Sequence, residues 1–294
     1  MTKPWKAAVA QIASVPDDSV ATAHKAAEVI RRAAREGARL IVFPEALLGG
    51  YPKGASFGCP VGVRKPEGRQ AFHQYYNAAI DLNGEEVSII AEATAETDTF
   101  IVIGCIERDG GTLYCTALFF DGARGLIGKH RKLMPTAGGR LIWGFGDGST
   151  MPVFETPLGR IGAVICCAPT ADDRDTWLPS MRHIALEGRC FVLTACQYIT
   201  RGAFPADHES ALGDEPDTVM MRGGSAIINP LGKVLTGPDF SGETILYADI
   251  DLAEVARGKF DFDVVGHYAR PDIFQLHVDD RPKNAVNRLS QREK

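Results

Sequence analysis

The sequence predicts an α/β fold on two observations. Helical and strand-like apolar stretches alternate from the N-terminus onward, and several strands are short, continuous apolar runs of the kind covered on both faces. Hydrophobic residues make up 45% and charged ones 23% of the 294 residues, the proportions of a soluble globular chain able to bury a full core. Ala7 to Ile12 is the first apolar run, and in the next stretch Val20, Ala23, Ala27, Ile30 and Ala34 recur at spacings of three and four, a helical pattern that Gly37 stops. Leu40-Ile41-Val42-Phe43 is the next strand. A helix around Glu85 to Glu96 follows, then strands at Phe100 to Cys105 and Tyr114 to Phe120 and a loop-rich stretch from Gly122 to Thr156. The pattern then predicts a strand at Arg160 to Cys166, a helix near Leu178 to Glu187, and strands at Cys190 to Cys196, Ser225 to Ile228 and Ile245 to Ile250. No repeat, low-complexity tract or Pro/Gly/Ser linker divides the chain, so a single domain over 1–294 is expected, with a polar C-terminal tail from about 270 to 294 that reaches over a neighbour or frays.

Charge and motifs narrow the function. Against 37 Asp and Glu stand 32 Lys and Arg, a net charge of −5 with no basic block, which argues against nucleic acid as a partner. No stretch approaches the roughly 18 apolar residues of a membrane helix, and the first residues lead into no signal-peptide core, so a cytoplasmic protein is expected. The seven cysteines are an odd number lying mostly in apolar runs, as buried thiols with one reactive member would. Zinc-ligand spacings, a Walker loop and Gly-x-Ser-x-Gly are all missing, so neither a metal nor an organic cofactor is expected. The run Gly144-Phe145-Gly146-Asp147-Gly148 follows no strand, and the charges at Asp172, Asp173, Arg174 and Asp175 read as a loop rather than a metal cluster.

Three polar residues end apolar runs. Glu45, in Phe43-Pro44-Glu45, stands past a strand, where ligands of α/β sheets gather; it is either a base or a loop acid that caps the next element. Lys132, last of Lys129-His130-Arg131-Lys132, belongs either to a solvated basic face or to an enclosed pocket where it stabilises developing negative charge. Cys166 ends Ile161-Gly162-Ala163-Val164-Ile165 and is either a packed thiol or a nucleophile at the crevice.

Glu, Lys and Cys in that order, each closing an apolar run, match a thiol hydrolase. The segments around them resemble the nitrilase branch of the carbon-nitrogen hydrolase superfamily: Phe43-Pro44-Glu45-Ala46-Leu47-Leu48-Gly49-Gly50-Tyr51-Pro52 for the glutamate, His130-Arg131-Lys132-Leu133-Met134-Pro135-Thr136 with Leu141-Ile142-Trp143-Gly144 for the lysine, and Gly162-Ala163-Val164-Ile165-Cys166 for the cysteine. The likeness continues through Ala168-Pro169-Thr170-Ala171-Asp172-Asp173 and Gly266-His267-Tyr268-Ala269-Arg270-Pro271-Asp272.

That resemblance implies a four-layer αββα sandwich, subunits that stack helical faces into dimers or spirals, and catalysis by Glu45, Lys132 and Cys166 on a small-molecule nitrile. Glu45 would take the thiol proton, Cys166 would attack the nitrile carbon to give a thioimidate, and Lys132 would stabilise the tetrahedral centre formed by water. Ammonia would leave, and a second water would release the acid from the thioester. Two other readings are an amidase of the same superfamily and a catalytically impaired assembly subunit.

The sequence departs from the family twice. Pro135-Thr136-Ala137-Gly138-Gly139-Arg140 stands for Pro-Thr-x-x-Glu-Arg, so Gly139 replaces a second active-site glutamate. The family's Cys-Trp-Glu and the helix after it are also missing, because Cys166 runs at once into Cys167-Ala168-Pro169-Thr170. One helix and one strand, roughly 17 residues, is the size of that gap. Either Arg160 to Cys166 keeps the nucleophile's strand and the next one is lost, or the fused run takes the later position and carries Cys166 away from Glu45 and Lys132.

Overall fold

Residues 3–283 are described by a computed structural model. β1 (Trp5–Gln11) leads into α1 (Ser19–Arg35), where Asp18 accepts the Ala21 amide at 2.8 Å. That cap contributes about 1 kcal/mol. Ala23, Ala27 and Ile30 of the helical stripe are buried. Next come β2 (Ala38–Val42), α2 (Pro66–Ala78), α3 (Glu85–Thr97), β3 (Phe100–Asp109), β4 (Thr112–Asp121) and β5 (Gly125–Arg131). The second half runs β6 (Phe154–Thr156), β7 (Gly159–Ile161), β8 (Ile165–Thr170), α4 (Trp177–Gly188), β9 (Phe191–Cys196), β10 (Tyr198–Thr200), β11 (Val219–Arg222), β12 (Ser225–Ile228), β13 (Val234–Asp239), β14 (Thr244–Ile250) and α5 (Ala253–Gly258).

Two six-stranded sheets form the centre, ordered β14-β1-β2-β3-β4-β5 and β13-β12-β9-β8-β7-β6. Period two explains why their strands read as unbroken apolar runs. Leu40 and Val42 join Val9, Phe191, Leu193 and Ile227 between the sheets, whereas Ile41 and Phe43 join Ala27, Ile30 and Ile90 under α1 and α3. Among the described residues only α4 packs on the outer face of the second sheet, through Met181 and Ala185 against Val192 and Ile228. The architecture is thus αββα, with a single helix in its fourth layer.

Two stretches differ from the sequence expectation. The supposed loop from Gly122 to Thr156 contains β5 and β6. Every residue of β5 is half-buried, so no apolar alternation marks it, yet it pairs with β4 from Thr116–Arg131 to Asp121–Gly125. The expected strand from Arg160 to Cys166 is broken. Ala163 and Val164 both donate to the Arg160 carbonyl, at 3.2 and 3.0 Å, and Gly162 turns with φ +92°. A Cβ at Gly162 would lie 2.6 Å from the Pro152 carbonyl, so only glycine fits this turn. β7 is cut to three residues and meets β8 at one bridge, Ile161 to Ile165. The fused run takes the later of the two positions, since β8 pairs with β9 in parallel from Ile165–Phe191 to Thr170–Cys196.

Of the C-terminal stretch, residues 284–294 lie outside the described part. Before them the chain returns to its own glycine-rich loop, where Asp147 accepts the Lys283 amide at 2.7 Å.

Candidate active site

Glu45 follows β2 in a segment that keeps pairing with β3: Phe43 N–H donates to the Val102 carbonyl at 2.8 Å and Leu48 N–H to the Gly104 carbonyl at 3.1 Å. The close approach depends on Gly104, where a Cβ would stand 2.3 Å from the Pro44 carbonyl and 2.6 Å from the Glu45 Cα. Gln197 donates to the Glu45 carbonyl oxygen at 3.1 Å, and Ala46 beside it adopts φ +52°. A left-handed alanine is the strained backbone often found beside working groups.

Lys132 lies just past β5. Alternation sorts the basic cluster that the sequence left open. Lys129 and Arg131 hold the buried Glu107, with Arg131 Nε at 2.9 Å from Glu107 Oε2 and both Lys129 Nζ and Arg131 Nη2 at 2.5 Å from Oε1. Burial opposes the Glu107 charge, but those two cations outweigh it and hold the carboxyl below its ordinary range. Lys132 points to the other partner, placing Nζ 2.7 Å from Glu45 Oε1. Burial works against its charge, the Glu45 carboxylate works for it, and the net effect raises its pKa. Its side chain is 32% exposed and that of Glu45 12%, so the ion pair stands at the edge of solvent.

Three donors surround the Glu45 carboxylate. Besides Lys132, the Cys115 thiol donates to Oε1 at 3.2 Å and the Ala171 amide to Oε2 at 3.1 Å. Trp143 lies over the lysine, its ring 6.0 Å from Nζ, and is anchored by donating to the Tyr75 hydroxyl at 3.2 Å. Tyr51 packs edge-on to Trp143 at 5.7 Å. Tyr51 and Tyr75 also border a cavity of about 840 Å³ whose wall includes Phe57, Phe204 and His208.

Cys166 is not brought to this pair. It stands at the second position of β8, half-buried on the face toward α4 among Met181, Ala185, Cys190 and Val192. Glu45 is reached instead just past the far end of β8, at Ala171. Five residues of strand, roughly 16 Å, separate the two places. Burial alone raises the Cys166 thiol, with no contribution from Glu45 or Lys132. Gly139, where a second carboxylate would be expected, lies in a turn under Trp143, and a Cβ there would come within 2.9 Å of the indole. The acidic loop is a set of ion pairs: Asp172 with Arg174, Asp173 with Lys53, and Asp175 with Arg222.

Sequence reasoning missed Cys115, Trp143 as a lid on the lysine, and the Ala171 amide. Cys115 carried no signal beyond a thiol in a strand, and a backbone donor carries none.

Comparison with known proteins agrees with this frame. The pattern described as Carbon-nitrogen hydrolase matches residues 6–172 and 167–260, two stretches that overlap from within β8 to just past its end. Nitrilase blr3397 of Bradyrhizobium diazoefficiens is 71% identical over 306 aligned positions, covering 97% of this chain and 95% of the relative. An alignment longer than the chain's 294 residues means that the relative carries residues with no counterpart here. An aliphatic nitrilase of Sinorhizobium fredii is 56% identical, covering 97% of this chain and 99% of its own. Among solved structures, the C. elegans NitFhit protein superposes with a TM-score of 0.70 at 19% identity, over 97% of this chain and 69% of that one. Saccharomyces cerevisiae Nit3 gives 0.65 at 19% identity, over 90% and 97%. With the sandwich, the Glu45–Lys132 pair and these matches together, the chain belongs to the carbon-nitrogen hydrolase family.

Proposed function

We propose that this chain is a nitrilase, hydrolysing a small-molecule nitrile to the carboxylic acid and ammonia. The observation that carries the reading is the Glu45–Lys132 pair, a base and a cation joined at 2.7 Å at the carboxyl end of β8, in a chain 71% identical to a nitrilase. A thiolate is the strongest nucleophile a side chain offers to the weakly electrophilic nitrile carbon. In this reading Cys166 supplies it, which requires the thiol to be carried across the roughly 16 Å of strand that separates it from the pair; Glu45 then takes its proton and later activates water, and Lys132 stabilises the charge that develops on the tetrahedral centre. Two waters are consumed for each ammonia and acid formed. We read residues 1–294 as one catalytic domain in a cytoplasmic homo-oligomer. All seven cysteines are free thiols, and Phe260, Phe274 and Leu276 leave large apolar groups in solvent. Among the described residues no helix is long and apolar enough to cross a membrane.

One observation favours a second reading. Cys166 under α4 is what a catalytically impaired assembly subunit would show, with the base and cation retained and the nucleophile withdrawn. Ammonia release by the intact-mass-verified chain, against aliphatic, aryl and arylacetonitriles, separates the two. Release that disappears in Cys166→Ala supports the nitrilase. A folded, oligomeric chain that releases none supports the subunit, and turnover of an amide without the matching nitrile supports an amidase.

A further inference from the structure

Three contacts converge on Cys115, a residue the reaction above does not use. It stands on β4 opposite Ile106. Its thiol donates to Glu45 Oε1 at 3.2 Å, the same oxygen that receives Lys132 Nζ at 2.7 Å. Its backbone carbonyl accepts the Lys132 amide N–H at 2.8 Å. A single residue therefore grips the base through its side chain and the lysine through its main chain. Packing alone does not call for sulfur here. The surroundings are Ala46, Tyr75, Ile106, Leu113 and Trp143, where an apolar side chain of similar size would fill the same space.

We infer that Cys115 is a positioning residue of this site, its thiol donor holding the Glu45 carboxylate so that Oε1 faces Lys132 and Oε2 faces the Ala171 amide. The terminal torsion of a glutamate is broad and has no strong preference of its own. Lys132 approaches on a flexible stem and fixes a charge more than an orientation. A short, buried donor from a strand fixes the orientation, and a hydrogen bond to an ionised acceptor is the stronger kind. Burial first, and then the neighbouring Glu45 charge, push the Cys115 thiol well above its ordinary range, so the proton stays on sulfur and the group donates rather than attacks.

The inference rests on the nitrilase reading for its kinetic consequence, and one arm of the test does not. Cys115→Ser keeps a donor, whereas Cys115→Val fills the space without one. The S–H stretch occupies an otherwise empty part of the infrared spectrum, and the band lost in Cys115→Ser belongs to this thiol. In Glu45→Gln, where a neutral amide is the weaker acceptor, that band is expected to move toward the free-thiol position. With nitrile as substrate, Cys115→Val is expected to lower kcat about tenfold, the value of one hydrogen bond to a charged group, with KM little changed. Cys115→Ser is expected to restore kcat. A thiol band unmoved by Glu45→Gln overturns the inference, as does equal turnover in the Val and unmodified chains. Complete loss in Cys115→Ser also overturns it, because that marks a covalent role. If the unmodified chain releases no ammonia, the reaction reading falls and the infrared shift alone decides the role of Cys115.

Discussion

Breaking the Glu45–Lys132 pair from either side should cost stability, and breaking it from both sides should cost less than the sum. Removing one partner of a fully buried ion pair typically costs about 3–5 kcal/mol, because the other charge is left unpaired. This pair is not fully buried, with the lysine side chain 32% and the glutamate 12% exposed. Water screens much of the orphaned charge, and Glu45 keeps the Cys115 thiol and Ala171 amide when the lysine is removed. Lys132→Met should therefore cost about 1–3 kcal/mol. Glu45→Gln preserves shape and an acceptor but strands a more exposed ammonium, so about 1 kcal/mol is expected. The double variant should recover roughly 1–2 kcal/mol of that sum, since an ion pair can often be replaced by neutral groups at little net cost. Urea unfolding followed by circular dichroism, with equal slopes across the four proteins, measures the coupling. Single costs that add within about 0.5 kcal/mol would show that the two side chains do not interact and would remove the central contact of the site.

Other outcomes follow from other contacts. Glu107→Gln removes the buried carboxylate shared by Lys129 and Arg131 and should cost about 3–5 kcal/mol in urea unfolding. Because the folded carboxyl of Glu107 lies below the ordinary 4.5, its stabilisation is complete above that value and is lost as pH falls toward the folded pKa. The melting temperature should fall on acidification through that window, and less steeply in Glu107→Gln. Gly139→Glu pushes a Cβ against the Trp143 ring and should cost about 1–3 kcal/mol while shifting tryptophan fluorescence. An unchanged emission would place Trp143 elsewhere. Cys166→Ala should cost about 1 kcal/mol of stability through lost packing under α4. Alkylation of Cys166 followed by intact mass should proceed at the same rate with and without Lys132→Met, as expected of a thiol that does not feel the lysine.

Much of this architecture was legible because apolar periodicity is set by which faces are covered. α1, α3, α4, β2, β9 and β12 all appear within a few residues of where the pattern put them. β5 was hidden because both its faces are half-wet and five of its seven residues are Gly, Lys, His and Arg, whose pairing to β4 is a backbone property. α2 was hidden for a similar reason, with only Gly68, Tyr75 and Ala78 buried along it. In the site, position at the ends of apolar runs left Glu45 and Lys132 open between two roles, and the family resemblance is what singled them out. The separation of Cys166 was not, since two outcomes of the fusion were compatible with the same letters. The choice between them was made by pairing along β9, which offers β8 six consecutive partners, while β7 meets β8 at one bridge.

The junction within β8 also preserves parity. Ile165 and Cys167 face the space between the sheets, and Cys166 and Ala168 face α4. Side chains alternate strictly along a strand, so one residue more or fewer at the fusion would have exchanged the two sets. Ile165 would then stand on the thinly covered outer face, and Cys166 would lie in the inter-sheet core. The register of β8 on β9 therefore fixes more than pairing: it sets which sulfur meets α4 and aims the strand so that the Ala171 amide just past it meets Glu45.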